Sequence, residues 1–77
     1  MEELLRYLAR ALVDKRDEVQ VDSFTEDDGT IVLELRVAEY EVGRVIGRGG
    51  RTINALRAVI RAAAVKHEKR VLVDVID

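Results

Sequence analysis

The sequence predicts a small α+β domain with the element order α-β-β-α-α-β, and three observations predict it. An opening segment repeats apolar residues at helical spacing, two stretches alternate with period two about an Asp-Asp-Gly turn, and a second helical pattern runs into a β-branched stretch. The chain has 77 residues, no cysteine and one histidine. Disulfides and cysteine/histidine zinc sites are therefore excluded, and the core must hold by packing alone. A chain of this size buries only about 60% of its unfolded surface, which speaks against a deep catalytic cavity.

Residues 2–14 place Leu4, Leu5, Leu8, Ala11 and Leu12 on one helical face, with Glu2 and Arg6 four apart on the outer side. Asp14-Lys15-Arg16-Asp17 ends that helix. Val19-Gln20-Val21-Asp22-Ser23 then alternates as a half-buried strand, extended by Phe24 to about Glu26. Asp27-Asp28-Gly29 is a tight-turn signal, and Ile31, Leu33, Leu35 and Val37 alternate beyond it with Glu34 and Arg36, so the two strands form a hairpin. Residues 39–46 suffice for one helical turn or two, laying Tyr40, Val42, Val45 and Ile46 on the sheet, with Gly43 weakening their regularity. Ile53, Leu56, Ile60 and Ala63/Ala64 mark a long helix to about Lys66, and Val71-Leu72-Val73-Asp74-Val75-Ile76 closes as a strand paired on a neighbour.

No apolar run approaches the roughly 18 residues of a membrane span, and Met1-Glu2-Glu3 is acidic where a secretory signal is basic. A cytoplasmic protein without a membrane partner is expected. Charged residues make up 36% of the chain, while Asn54 and Gln20 are its only side-chain amides, a composition that resembles a thermophile's. Ten arginines against three lysines can equally reflect genomic base composition. No Ser/His/Asp or Cys/His set exists, so neither an enzyme nor a cofactor or metal site is expected.

The stretch around which the rest is arranged is Val45-Ile46-Gly47-Arg48-Gly49-Gly50-Arg51-Thr52-Ile53. Three glycines within four positions let the backbone take positive φ and lie close to another molecule. The turn opens into the long helix, so unpaired N–H groups and two arginines share one space, which describes a phosphate site. Charge is segregated about it. Residues 1–43 carry five basic and twelve acidic side chains, net −7, whereas residues 44–70 carry eight basic ones against Glu68 alone, net +7. A polyanion meets this local field rather than the overall −2, because charges beyond about 8 Å are screened at physiological salt. Spacing then separates the phosphate-binding motifs. A P-loop needs glycine where Val45 stands, and the dinucleotide pattern needs a third glycine where Thr52 stands. What remains is Gly-x-x-Gly between two helices, the arrangement that clamps the backbone of about four nucleotides.

The run Gly43-Arg44-Val45-Ile46-Gly47-Arg48-Gly49-Gly50-Arg51-Thr52-Ile53 resembles the KH signature, and the element order resembles the type II, bacterial form. Over nearly its whole length, the chain resembles the KhpA family of small single-KH proteins. The resemblance implies one KH domain over residues 1–77, with three helices on one face of a three-stranded mixed sheet. It further implies a single-stranded RNA binder, proposed as an RNA chaperone, that pairs with a KhpB-like KH protein and is linked to cell shape and cell-wall synthesis.

Carried onto this sequence, the backbone of Gly47, Arg48, Gly49 and Gly50 approaches the phosphodiester chain, and Arg48 and Arg51 neutralise phosphates. Arg44 belongs to the same basic block. Val45, Ile46 and Val37 are candidates for an aliphatic groove beside the loop, although each also reads as core. Arg57 and Arg61, four apart on the long helix, read equally as RNA contacts or as solvated side chains. Tyr7, Phe24 and Tyr40 all read as core or near-core, so stacking is expected to be a minor term. Ala55, Ala58, Val59 and Ala62 make the long helix apolar beyond its core stripe, which suits helix propensity or a homodimer interface alike. A protein-interaction module with incidental RNA or single-stranded DNA binding is the alternative function.

Overall fold

The computed structural model describes residues 1–76; the expected domain of residues 1–77 extends one residue beyond them. Its elements are α1 (Glu2–Leu12), β1 (Gln20–Thr25), β2 (Ile31–Arg36), α2 (Val42–Ile46), α3 (Arg51–Lys66) and β3 (Val71–Ile76). Single 3-10 turns lie at Arg16–Glu18, Glu39–Glu41 and Arg48–Gly50. The sheet order is β1-β2-β3. β1 runs antiparallel to β2, with Gln20 opposite Arg36 and Thr25 opposite Ile31, and β3 runs parallel to β2, with Ile31 beside Val71 and Arg36 beside Ile76.

The alternation of each strand decides what the sheet does with its two faces. Val21, Leu33, Leu35, Val71 and Val73 turn inward and meet Leu5 and Ala9 of α1, Val45 of α2 and Ile53, Leu56, Ile60 and Ala64 of α3. Burying one such large aliphatic side chain is worth roughly 1.5–3 kcal/mol, so this one cluster is what holds the three helices on a single face. The opposite face is open. There Phe24, Val32 and Leu72 share a cross-strand row, and the half-exposed outer pair covers Val32 between them. The adjacent row is Asp22, Glu34 and Asp74, three carboxylates in register.

The hairpin turn forms where the sequence places it. Gly29 N–H donates to Glu26 O at 2.9 Å, and Thr30 N–H donates to Asp28 Oδ1 at 2.9 Å, so the aspartate carboxylate organises its own turn. Two expectations need correction. The first helix ends at Leu12 rather than residue 14, because Val13 is extended and buried while the next two backbone N–H groups are taken by a distant carboxylate: Asp14 N–H donates to Glu41 Oε2 at 2.6 Å and Lys15 N–H to Glu41 Oε1 at 3.0 Å. The aromatic residues are not core: Tyr7 is 72%, Tyr40 71% and Phe24 47% exposed. Tyr7 falls on the outer side of α1, and Phe24 on the uncovered face of the sheet, so neither had a layer to bury it.

Candidate nucleic-acid interface

α2 is only five residues long, and its last backbone bond, Gly47 N–H to Gly43 O at 2.9 Å, hands the chain into the glycine turn. Gly47 takes φ 78° and ψ 171°, a region closed to other residues. A Cβ there would stand 2.3 Å from Thr52 Oγ1 and 2.8 Å from the Thr52 backbone N, so the turn closes directly on the first turn of α3. Gly49 is different. It is left-handed, φ 64° and ψ 18°, but a Cβ there would meet nothing within 4 Å. Gly47 is bare because the protein fills the space beside it, whereas the space beside Gly49 is open to another molecule. Gly50 N–H returns to Gly47 O at 3.1 Å, and α3 begins at Arg51 with no side chain capping its free N–H groups.

The arginines divide into committed and uncommitted groups. Arg48 and Arg51 are exposed, and among the described residues neither has a carboxylate within 4.0 Å. Arg44 points elsewhere: its Nη1 lies 3.3 Å from both Asp14 Oδ2 and Glu41 Oε2. Glu41 is 1% exposed, and with two backbone N–H groups and Arg44 on its carboxylate it ties the end of α1 to the start of α2. Nothing local in Glu39-Tyr40-Glu41 distinguishes the buried glutamate from its solvated neighbour. Arg57 is committed too. Its Nε and Nη2 donate to Val73 O at 3.2 and 3.0 Å, on the side of β3 that carries no partner strand, and Nη1 donates to Asn54 Oδ1 at 3.4 Å. The sequence offered RNA contact or solvation for this side chain; the structure adds a tie to the edge of β3 that neither reading contained.

Of the apolar residues expected beside the loop, Val45 has no exposed surface and Val37 is half-buried, while Ile46 is 37% exposed. Val45 therefore belongs to the core and supports the loop from beneath. Asn54 was missed by sequence reasoning. One turn past Gly50 and one turn before Arg57, its Nδ2 lies 3.7 Å from where a Gly50 Cβ would be, so the two side chains line a path from the loop to the edge of β3. Ala55, Ala58, Val59 and Ala62 are all exposed on α3. Leu8, Ala11 and Leu12 of α1 form an apolar groove with Thr52, Ala55 and Val59. Among the described residues no group of carboxylates and histidines is placed to hold a metal ion, and no helix is long and apolar enough to cross a membrane.

A Gly-x-x-Gly turn between a short and a long helix, set over a mixed three-stranded sheet whose last strand is parallel to its neighbour, defines a type II KH domain. The sequence profile of the KhpA/KhpB KH domain matches residues 2–75. The RNA-binding protein KhpA of Clostridium acetobutylicum is 51% identical over 99% of this chain and 100% of its own length, and that of Caldanaerobacter subterraneus subsp. tengcongensis is 43% identical over the same shares. The chain belongs to the KhpA/KhpB KH-domain family, whose members are not enzymes. A crystal structure of Era in complex with MgGDPNP and nucleotides of 16S ribosomal RNA superposes with a TM-score of 0.65 at 16% identity, over 96% of this chain and 28% of that one, and shows the shared fold.

Proposed function

We propose that this protein is a single-KH, cytoplasmic binder of single-stranded RNA, acting as an RNA chaperone or post-transcriptional regulator through a backbone clamp at residues 47–50. The observation that carries the reading is the open, left-handed backbone at Gly49, flanked by Arg48 and Arg51, which have no ion-pair partner among the described residues, and followed by the uncapped start of α3. Relatives named RNA-binding proteins over their full length support it. Replacing Arg48 and Gly49 by aspartate tests it, with fluorescence anisotropy on a short single-stranded RNA after the melting curve has been compared. With about three phosphates engaged, the wild type should show a log–log salt slope of roughly −2. The double variant should lose binding at low salt; unchanged affinity overturns the clamp.

The same reading includes a KhpB-type KH partner and a role in cell-shape and cell-wall homeostasis. Pairing raises avidity through effective concentration, since one KH module holds few nucleotides. The groove between α1 and α3 supports α3 as the pairing surface, because small residues there allow a second helix close approach. The rival reading, a pairing module with incidental nucleic-acid binding, predicts that the aspartate variant retains function in cells while a charge placed at Ala55 or Val59 abolishes it.

A further inference from the structure

The guanidinium of Arg57 carries five N–H groups, and the fold uses three of them. The Nε/Nη2 edge is spent on Val73 O at 3.2 and 3.0 Å, and Asn54 Oδ1 holds Nη1 at 3.4 Å, so a half-buried planar cation is fixed between α3 and the free edge of β3. These bonds leave one N–H on each of Nη1 and Nη2, the pair that spans the distal edge. It sits at the end of the path that begins at Gly50 and passes the amide of Asn54. The side chains along that path offer donors outward and no aromatic platform.

We propose that Arg57 is a base-selecting residue, and that its distal edge takes the O6/N7 acceptor pair of a guanine lying next to the clamped phosphates. This rests on the RNA-binding reading above and adds base selection to it. A fixed donor pair accepts guanine, whose O6 and N7 are adjacent acceptors; adenine sets its N6 amino group against a donor, uracil has no second acceptor beside O4, and cytosine, with O2 beside N3, is the competitor that the cytidine oligomer tests. The bonds to Val73 and Asn54 hold the plane before RNA arrives, so little rotamer entropy is lost on binding.

The test compares eight-nucleotide oligouridylates carrying one central guanosine, adenosine or cytidine, bound to wild type, Arg57→Lys and the aspartate variant of the loop. Wild type should favour guanosine over adenosine by about ten-fold, the lower range of a bidentate base contact. Arg57→Lys keeps the charge and one donor for Val73 O but loses the planar fork, so the ratio should fall to near one. A merely structural role for Arg57 would shift the melting temperature and all three affinities together and leave the ratio intact. Equal affinities in wild type, a preference for cytidine or adenosine, or a ratio preserved in Arg57→Lys overturns the proposal while leaving the clamp standing. Failure of wild type to bind any of the three above the aspartate variant overturns the clamp as well. Should Arg57→Lys not fold, Asn54→Ala on the exposed helix surface releases Nη1 and lets the plane turn, and guanosine preference should fall there; an undiminished ratio in that variant also overturns the proposal.

Discussion

Replacing Gly47 and Gly49 by alanine, one at a time, separates what the fold requires from what a ligand requires. At Gly47 the backbone, φ 78° and ψ 171°, lies where only glycine is comfortable, a strain of about 1–3 kcal/mol for alanine. The new methyl group also overlaps Thr52, 2.3 Å from Oγ1 and 2.8 Å from the backbone N. The hydroxyl can rotate away, but the peptide nitrogen moves only if α3 moves, and such overpacking costs a further ~1–3 kcal/mol. The sum is about 4 kcal/mol, which in a domain of this size lowers Tm by roughly 16–32 °C. Gly49 is also left-handed, φ 64°, but open, so alanine costs only the conformational term of about 1 kcal/mol, or roughly 4–8 °C. Thermal unfolding followed by circular dichroism reads both. Melting temperatures within about 3 °C of each other would refute the assignment of Gly47 to packing and Gly49 to approach.

Three further outcomes follow from single residues. Glu41→Ala strands the N–H groups of Asp14 and Lys15 and leaves Arg44 with Asp14 alone, and should lower unfolding stability by about 2–4 kcal/mol in urea titration. Glu68 holds φ 56° just past the end of α3, where Lys69 N–H returns to Ala64 O at 3.0 Å; Glu68→Gly should raise stability by about 0.5–1 kcal/mol in the same assay. The Asp28 carboxyl is held below its usual range by the Thr30 N–H, then by the Thr30 hydroxyl, with Arg70 adding a smaller pull. A lowered folded pKa stabilises above the unfolded value near ~3.9, and that contribution is lost as pH falls through the folded one. The Tm gap between wild type and Asp28→Asn should therefore be constant above about pH 5 and close on further acidification.

Much of this molecule is legible because its signals are local. Val71 to Ile76 is a β-branched run with no competing period, and the structure begins and ends the strand where the run does. Asp27-Asp28-Gly29 needs nothing beyond itself to turn, and the glycine triplet needs only the helix that follows. The features that escaped sequence reading are those made by distant residues. α1 stops at Leu12 because of a carboxylate 27 residues away, and Arg57 is fixed by a carbonyl 16 residues on. Neither partner shows in a periodicity. Val45 follows the same rule in reverse: beside Ile46 in an apolar pair, it could line a groove or support one, and only the sheet beneath it decides. Phe24 was misread because alternation assigns a residue to a face without saying whether that face is covered.

The register of the sheet also explains how an acidic chain can present a site for a polyanion. Asp22, Glu34 and Asp74 stand side by side on the uncovered face, where like charges directly opposite one another weaken a sheet by a few tenths of a kcal/mol per pair. Arg36 offsets part of this, its Nε 4.0 Å from Asp22 Oδ2. The glycine turn and α3 lie on the helical side of the same sheet, with Arg48 and Arg51 unpaired among the described residues. The domain is about two layers thick, more than a Debye length at physiological salt, so each face presents its own field. On the proposed RNA-binding reading, an approaching polyanion is repelled by the sheet and drawn to the glycine turn. The like-charge row thus weakens the strand pairing slightly and, on that reading, steers encounter, so Glu34→Lys should change the association rate with single-stranded RNA more than the dissociation rate, as stopped-flow anisotropy reads both.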